Sequence, residues 1–138
     1  MISALSNCGK VRYMLYEDSM DQQRLIKFMR NLIGDSSQKV FMILDNLKVH
    51  HGKIVAEWLS RHQDKIRLFF LPSYAPESNP DEYLNHGLKL SVHTGDLPIS
   101  IPDIRRKTNS YMRTLQRNKD KVSAFFLHPL VSYARVRE

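Results

Sequence analysis

The chain has 138 residues, 42% of them hydrophobic and 25% charged. That balance suits one globular domain, burying about 68–70% of its unfolded surface, and excludes a disordered or low-complexity polypeptide. No run approaches the roughly 18 apolar residues of a membrane span, and the opening MISALSNCGK has neither the basic stretch nor the apolar core of a secretory signal. The formal net charge is +7 and Cys8 is the only cysteine. An internal disulfide is thereby excluded, a reducing, cytoplasmic compartment is expected (at the nucleoid if bacterial), and phosphate-bearing partners are favoured.

In chain order, Ile2–Leu5 and Val11–Tyr16 read as two short strands joined by a turn at Asn7-Cys8-Gly9-Lys10, where Cys8 is simply a small turn residue. Ser19 or Asp21 caps a helix running to about Ile33, with Leu25, Met29, Leu32 and Ile33 on one face and Gly34 as its stop. Val40–Leu44 is a continuous apolar run, the pattern of a strand covered on both faces. Gly52–His62 reads as a helix with Ile54, Val55, Trp58 and Leu59 inward, and Ile66–Leu71 as a second buried strand. A helix follows from Asn79 to about Leu90, then a loop from His93 to Pro102. A basic helix runs from Pro102 to about Asn118, with Ile104, Tyr111 and Leu115 on its apolar side. An apolar tail, Val122–Leu127 and Leu130–Tyr133, docks on the domain. The order β-β-α-β-α-β-α-α predicts a mixed sheet flanked by helices, with the Val40–Leu44 and Ile66–Leu71 strands adjacent and parallel through the Gly52–His62 crossover.

Two acidic positions stand just past strand ends, where open α/β sheets place their chemistry. Asp45 directly follows the first apolar run, with Asn46 beside it and His50 and His51 one short loop on. The bland reading is a strand-end turn aspartate. A His/Asp zinc site fits no standard ligand spacing, so each histidine is read as a hydrogen-bonding loop residue or a phosphate contact. Asp81 and Glu82 open the Asn79 helix. With Asn79 as N-cap and Pro80 at N1, Glu82 falls at N3, the capping-box position, and Asp81 serves the helix dipole; capping and metal binding both stay open. Two carboxylates brought to one sheet edge suit Mg²⁺ or Mn²⁺, and a pair of such ions can clamp both oxygens of a phosphodiester exchange. From Ile101 to Glu138, nine basic residues face three acids, a net +6. This is either a footprint for DNA phosphates, centred on Arg105, Arg106, Arg113 and Arg117, or a solvated helix face.

The string from Asp45 to Lys89 carries a family resemblance. A strand ending LDN-x-x-x-H, a helix with an internal Trp, a second strand, then LP-x-Y-x-P-x-x-NP-x-E opening a helix that ends in LK resemble the DDE transposases of Tc/mariner-like insertion sequences. The tail FF-x-x-P-x-V-x-Y-A, Phe125–Ala134, is similar too. The resemblance implies an RNase H-like fold and DNA cleavage and strand transfer with two Mg²⁺ or Mn²⁺ ions. It matches Asp45 to the second catalytic Asp, Glu82 to the final catalytic Glu, and Lys89 to a lysine further along that helix. Three departures accompany it. The family's first catalytic Asp lies on a strand upstream of the hairpin, and Asp18 and Asp21 follow the wrong strand to replace it. Asp81 stands where the family has an aliphatic residue, and Asn85 where it has Trp. The expectation is therefore an RNase H-like domain lacking its first strand and the N-terminal DNA-recognition helices, spanning residues 1–138 with a basic helical segment from about 101. It would bind transposon ends and target DNA but be inactive alone, completed by its missing N-terminal portion or by homo-oligomerisation. The alternative is a non-catalytic DNA-binding or assembly module from a decayed transposase.

Overall fold

The computed structural model describes residues 1–135; Arg137 and Glu138, counted above in the basic segment, lie outside the described residues. The elements are β1 (Ile2–Leu5), β2 (Val11–Met14), α1 (Gln22–Gly34), β3 (Val40–Leu44), α2 (Lys53–Ser60), β4 (Ile66–Phe70), α3 (Asp81–His93), α4 (Ile101–Gln116) and α5 (Lys119–Ala124), with 3-10 turns at Lys48–His51, Pro76–Ser78, Phe125–Leu127 and Pro129–Ala134. The chain is mixed α/β and groups into two compact units: Tyr16–Ala75, and Met1–Leu15 with the residues from Pro76 onward. No helix among the described residues is long and apolar enough to cross a membrane.

In the Tyr16–Ala75 unit, Asp21 caps α1 by accepting the Arg24 amide at 2.8 Å. Helix α2 has no side-chain cap of its own at Gly52. Gln22 supplies one from α1, its Oε1 accepting the Ile54 and Val55 amides at 3.0 and 3.2 Å. Leu25, Ile26, Phe28, Met29, Leu44, Val55, Trp58, Ile66 and Leu71 are the buried apolar residues of this unit. Strands β3 and β4 pair in parallel, Val40 opposite Ile66 through Leu44 opposite Phe70, as the sequence predicts. Burial on both faces does not hold. Phe41 and Ile43 are 63% and 44% exposed and Phe69 41%, whereas Leu44 and Ile66 are buried. Side chains alternate along a strand, and only one side of this two-stranded sheet is covered. Ile54, expected inward, is likewise exposed, and α2 buries Val55 and Trp58 instead.

In the other unit, β1 and β2 form the expected hairpin, Leu5 opposite Val11. Gly9 sits in the turn at φ +85°, and a Cβ there would stand 2.6 Å from the Lys119 carbonyl oxygen, so both conformation and space require glycine. Val11 is buried in one cluster with Leu84, Met112, Leu115 and Val122. The apolar tail is anchored through buried Val122, Phe126 and Val131, and the Asn7 amide donates to the Ala134 carbonyl at 2.8 Å. Helix α4 starts one residue earlier than expected, with Ser100 accepting the Asp103 amide at 3.2 Å. Its buried stripe is Thr108, Met112 and Leu115, while Ile104 is exposed. Gly87 on α3 admits Tyr111 of α4, whose hydroxyl would collide with any Cβ there.

The expected single mixed sheet is not formed. The described strands make two separate two-stranded sheets, β1-β2 and β3-β4. The hairpin's inward residue explains its allegiance: Val11 is committed to α3 and α4 through Leu84, Met112 and Leu115 rather than to a longer sheet.

Candidate functional site

Asp45 follows the last residue of β3 and precedes a loop whose geometry is set by histidines. The His50 Nδ1 lies within hydrogen-bond reach of the Asp45 carbonyl oxygen. A carbonyl can only accept, so Nδ1 carries the proton and Nε2 is left with its lone pair. Burial pushes the His50 pKa below its ordinary value, against smaller upward pulls from Asp45 and with a small further push down from His51. His51 Nε2 meets the Asn46 side-chain oxygen, and the Asn46 amide donates to Ser73 Oγ at 3.3 Å. Both imidazoles lie against Phe70 at the end of β4, with ring centroids 6.4 and 4.2 Å away. The loops following the two parallel strands are thus tied together around Asp45. Tyr74, in the second of these loops, is fully exposed with a left-handed φ of +62°.

Glu82 belongs to the other unit. The Asn79 side chain accepts the Asp81 amide at 3.0 Å, but α3 begins one residue later than expected: Pro80, not Asn79, holds the N-cap position, its backbone already helical in φ and ψ, and it has no side-chain cap. The reciprocal half of a capping box is not made, because the Asn79 amide donates to the Pro76 carbonyl at 2.9 Å. Glu82 is exposed and not consumed by the helix start. Its neighbour Asp81 is engaged, accepting the Ser3 hydroxyl of β1 at 2.6 Å and the Asn85 amide at 3.4 Å. The two positions departing from the family pattern, Asp81 and Asn85, therefore bond to each other and to the hairpin.

Lys89 lies two helical turns beyond Glu82 on the same side of α3, with His86 between them, all three exposed. His86 drew no attention in the sequence; the seven-residue spacing of Glu82 and Lys89 was the signal that would have found it. On α4, Arg106, Arg113 and Arg117 are exposed and fall on the side opposite Thr108, Met112 and Leu115, and Arg105 lies beside that stripe. Arg106 pairs with Asp103, whose carboxyl it holds below the usual range. Lys107 is spent on structure, donating to the Val92 and Asp96 carbonyls.

Asp45 and Glu82 have the hard oxygen donors that Mg²⁺ or Mn²⁺ prefers. The number of donors falls short: among the described residues no group of three or more His, Cys, Asp or Glu side chains is arranged to hold a metal ion.

Among solved structures, the chain is similar to the catalytic domain of Mos1 mariner transposase. The TM-score is 0.54 at 18% identity, over 96% of this chain and 72% of that one. At that identity the likeness defines the fold alone, a mixed α/β architecture of the RNase H-like transposase kind. The model of the DDE superfamily endonuclease family matches residues 1–105, and the chain belongs to that family. A comparison with curated proteins gave no match.

Proposed function

We propose that this chain acts as part of a DDE transposase catalytic domain. In this reading it binds duplex DNA and contributes two carboxylates, Asp45 and Glu82, to metal-dependent cleavage and joining of phosphodiesters, without completing that reaction alone. The observation that carries the reading is the placement of Asp45 directly after a parallel strand, inside the segment matched to the family. Support comes from Glu82, which is exposed at the start of α3 with its capping role unused. Arg105, Arg106, Arg113 and Arg117, with Lys89, hold transposon-end and target phosphates. Mg²⁺ or Mn²⁺ would rest on Asp45 and Glu82 plus an acid from another polypeptide, either a second copy or another portion of the transposase.

One observation favours a second reading. The described residues hold no three-ligand group, which suits a DNA-binding or assembly module without catalysis. Incubating the pure chain with supercoiled plasmid and Mn²⁺ tests the proposal. We expect no nicking. Nicking that vanishes in both Asp45→Ala and Glu82→Ala would mean the chain supplies a complete site, and the claim of incompleteness would fall.

A further inference from the structure

The uncovered face of the β3–β4 sheet has a composition that ordinary solvent exposure does not explain. Phe41 and Phe69 stand side by side on it, ring centroids 6.2 Å apart and tilted by 34°, with Ile43 beside them and all three exposed. Each ring carries a cation. The Arg67 guanidinium lies 5.1 Å from the Phe69 centroid and the Lys39 ammonium 5.8 Å from that of Phe41. Lys65, one residue ahead of β4, continues the alternation of Arg67 and Phe69. Along β3 and β4 this side therefore reads Lys39, Phe41, Ile43 and Lys65, Arg67, Phe69, and the same alternation reaches an acid, Asp45, only just past the end of β3.

We infer that this face is a stacking platform for single-stranded DNA, distinct from the arginine stripe of α4. Flat aromatic rings interleaved with cations on a sheet surface match the two halves of a single strand, bases on the rings and phosphates on the cations. A duplex keeps its base faces stacked and offers none to the rings. A second copy of this chain would set three cations against three, and an apolar protein would strand them without counter-charge. The choice of DNA over RNA rests on the function proposed above; the single-strand preference rests on the face itself.

The test uses the full chain, an end-labelled oligodeoxythymidine of about ten nucleotides and a mixed-sequence duplex, followed by fluorescence anisotropy. Phe41→Ala and Phe69→Ala should each weaken oligonucleotide binding by about tenfold, the scale of one lost base–aromatic stack, and leave duplex binding unchanged. Both rings are exposed, so thermal melts should stay close to wild type. Phe41→Leu keeps the apolar bulk without the ring and should be as weak as Phe41→Ala. Phe41→Trp should retain binding, with its fluorescence quenched by the bases. Alanine at Arg106, Arg113 and Arg117 should reduce duplex binding only. If duplex binding is absent while ring-dependent oligonucleotide binding persists, the α4 reading fails and this one stands. The platform is overturned if the oligonucleotide does not bind, or if Phe41→Leu binds like wild type. It is also overturned if sedimentation shows a dimer that Phe41→Ala dissociates and the oligonucleotide does not, which would make the face an interface between copies.

Discussion

Replacing Arg106, Arg113 and Arg117 together by alanine should flatten the salt dependence of duplex binding in a calculable way. The three guanidinium groups share the exposed side of α4, away from buried Thr108, Met112 and Leu115, so their removal leaves the packing intact. Each phosphate contact contributes about −0.9 to the slope of log Kobs against log salt, so three lost contacts change the slope by about 2.7. Between roughly 50 and 200 mM salt, a slope of that size corresponds to about 40-fold in affinity, a loss wild type should suffer and the triple variant should not. Arg106 already shares its charge with Asp103, a pair whose arginine is solvent-exposed and whose intrinsic worth is small. Arg106→Ala alone should therefore change the slope least, and Asp103→Asn should tighten binding. Anisotropy titrations of a mixed-sequence duplex over a salt series measure all of this, with Arg30→Ala, exposed on α1, as the control. An unchanged slope in the triple variant, or equal flattening by Arg30→Ala, would refute the assignment of α4 as the phosphate-binding element.

Calorimetry should show Mg²⁺ or Mn²⁺ binding no tighter than roughly millimolar, as expected of an incomplete ligand set, with the heat lost in Asp45→Asn; equal heats from both proteins would remove Asp45 from the site. Gly9→Ala should cost at least about 1–2 kcal/mol in urea unfolding, from the left-handed backbone alone, with the clash against the Lys119 carbonyl added to it; a neutral substitution would mean the hairpin turn is free to move. Ser3→Ala and Asp81→Ala share one hydrogen bond, so their double-mutant cycle should give a coupling of about 1–2 kcal/mol; additive effects would show that the contact contributes nothing to stability.

The elements whose patterns depend only on near neighbours were legible in the sequence. The parallel β3–β4 pair follows from two apolar runs joined by one helix, and the Asp21 cap from its position ahead of the α1 periodicity. What failed depends on contacts distant in sequence. A continuous apolar run cannot say whether one or both faces find a cover, and Phe41, Ile43 and Phe69 did not. On α4, Leu115 is buried and Tyr111 packs against the core cluster as the pattern predicts, but Ile104 is exposed. The packing selected Thr108 and Met112 because the cluster of Val11, Leu84 and Val122 receives that edge of the helix. Near the candidate site, the position of Asp45 directly after β3 was legible from the apolar run that precedes it, and that of Asp81 and Glu82 in the first turn of α3 from the Asn79-Pro80 helix start. The division of labour between Asp81 and Glu82 was not, since Asp81 is claimed by Ser3, 78 positions away.

One unit of this protein is discontinuous along the chain: the hairpin at its start belongs with everything from Pro76 onward, and Tyr16–Ala75 is contiguous between them. Synthesis runs from the N-terminus, so β1 and β2 emerge before the rest of their own unit. Val11 has no cluster to join until Leu84, Met112, Leu115 and Val122 have all been made, and the Ala134 carbonyl that receives the Asn7 side-chain amide arrives later still. An isolated two-stranded hairpin is marginal in water. The Tyr16–Ala75 segment, whose helices and parallel strands are local, can therefore form while the hairpin still waits for α3, α4 and α5.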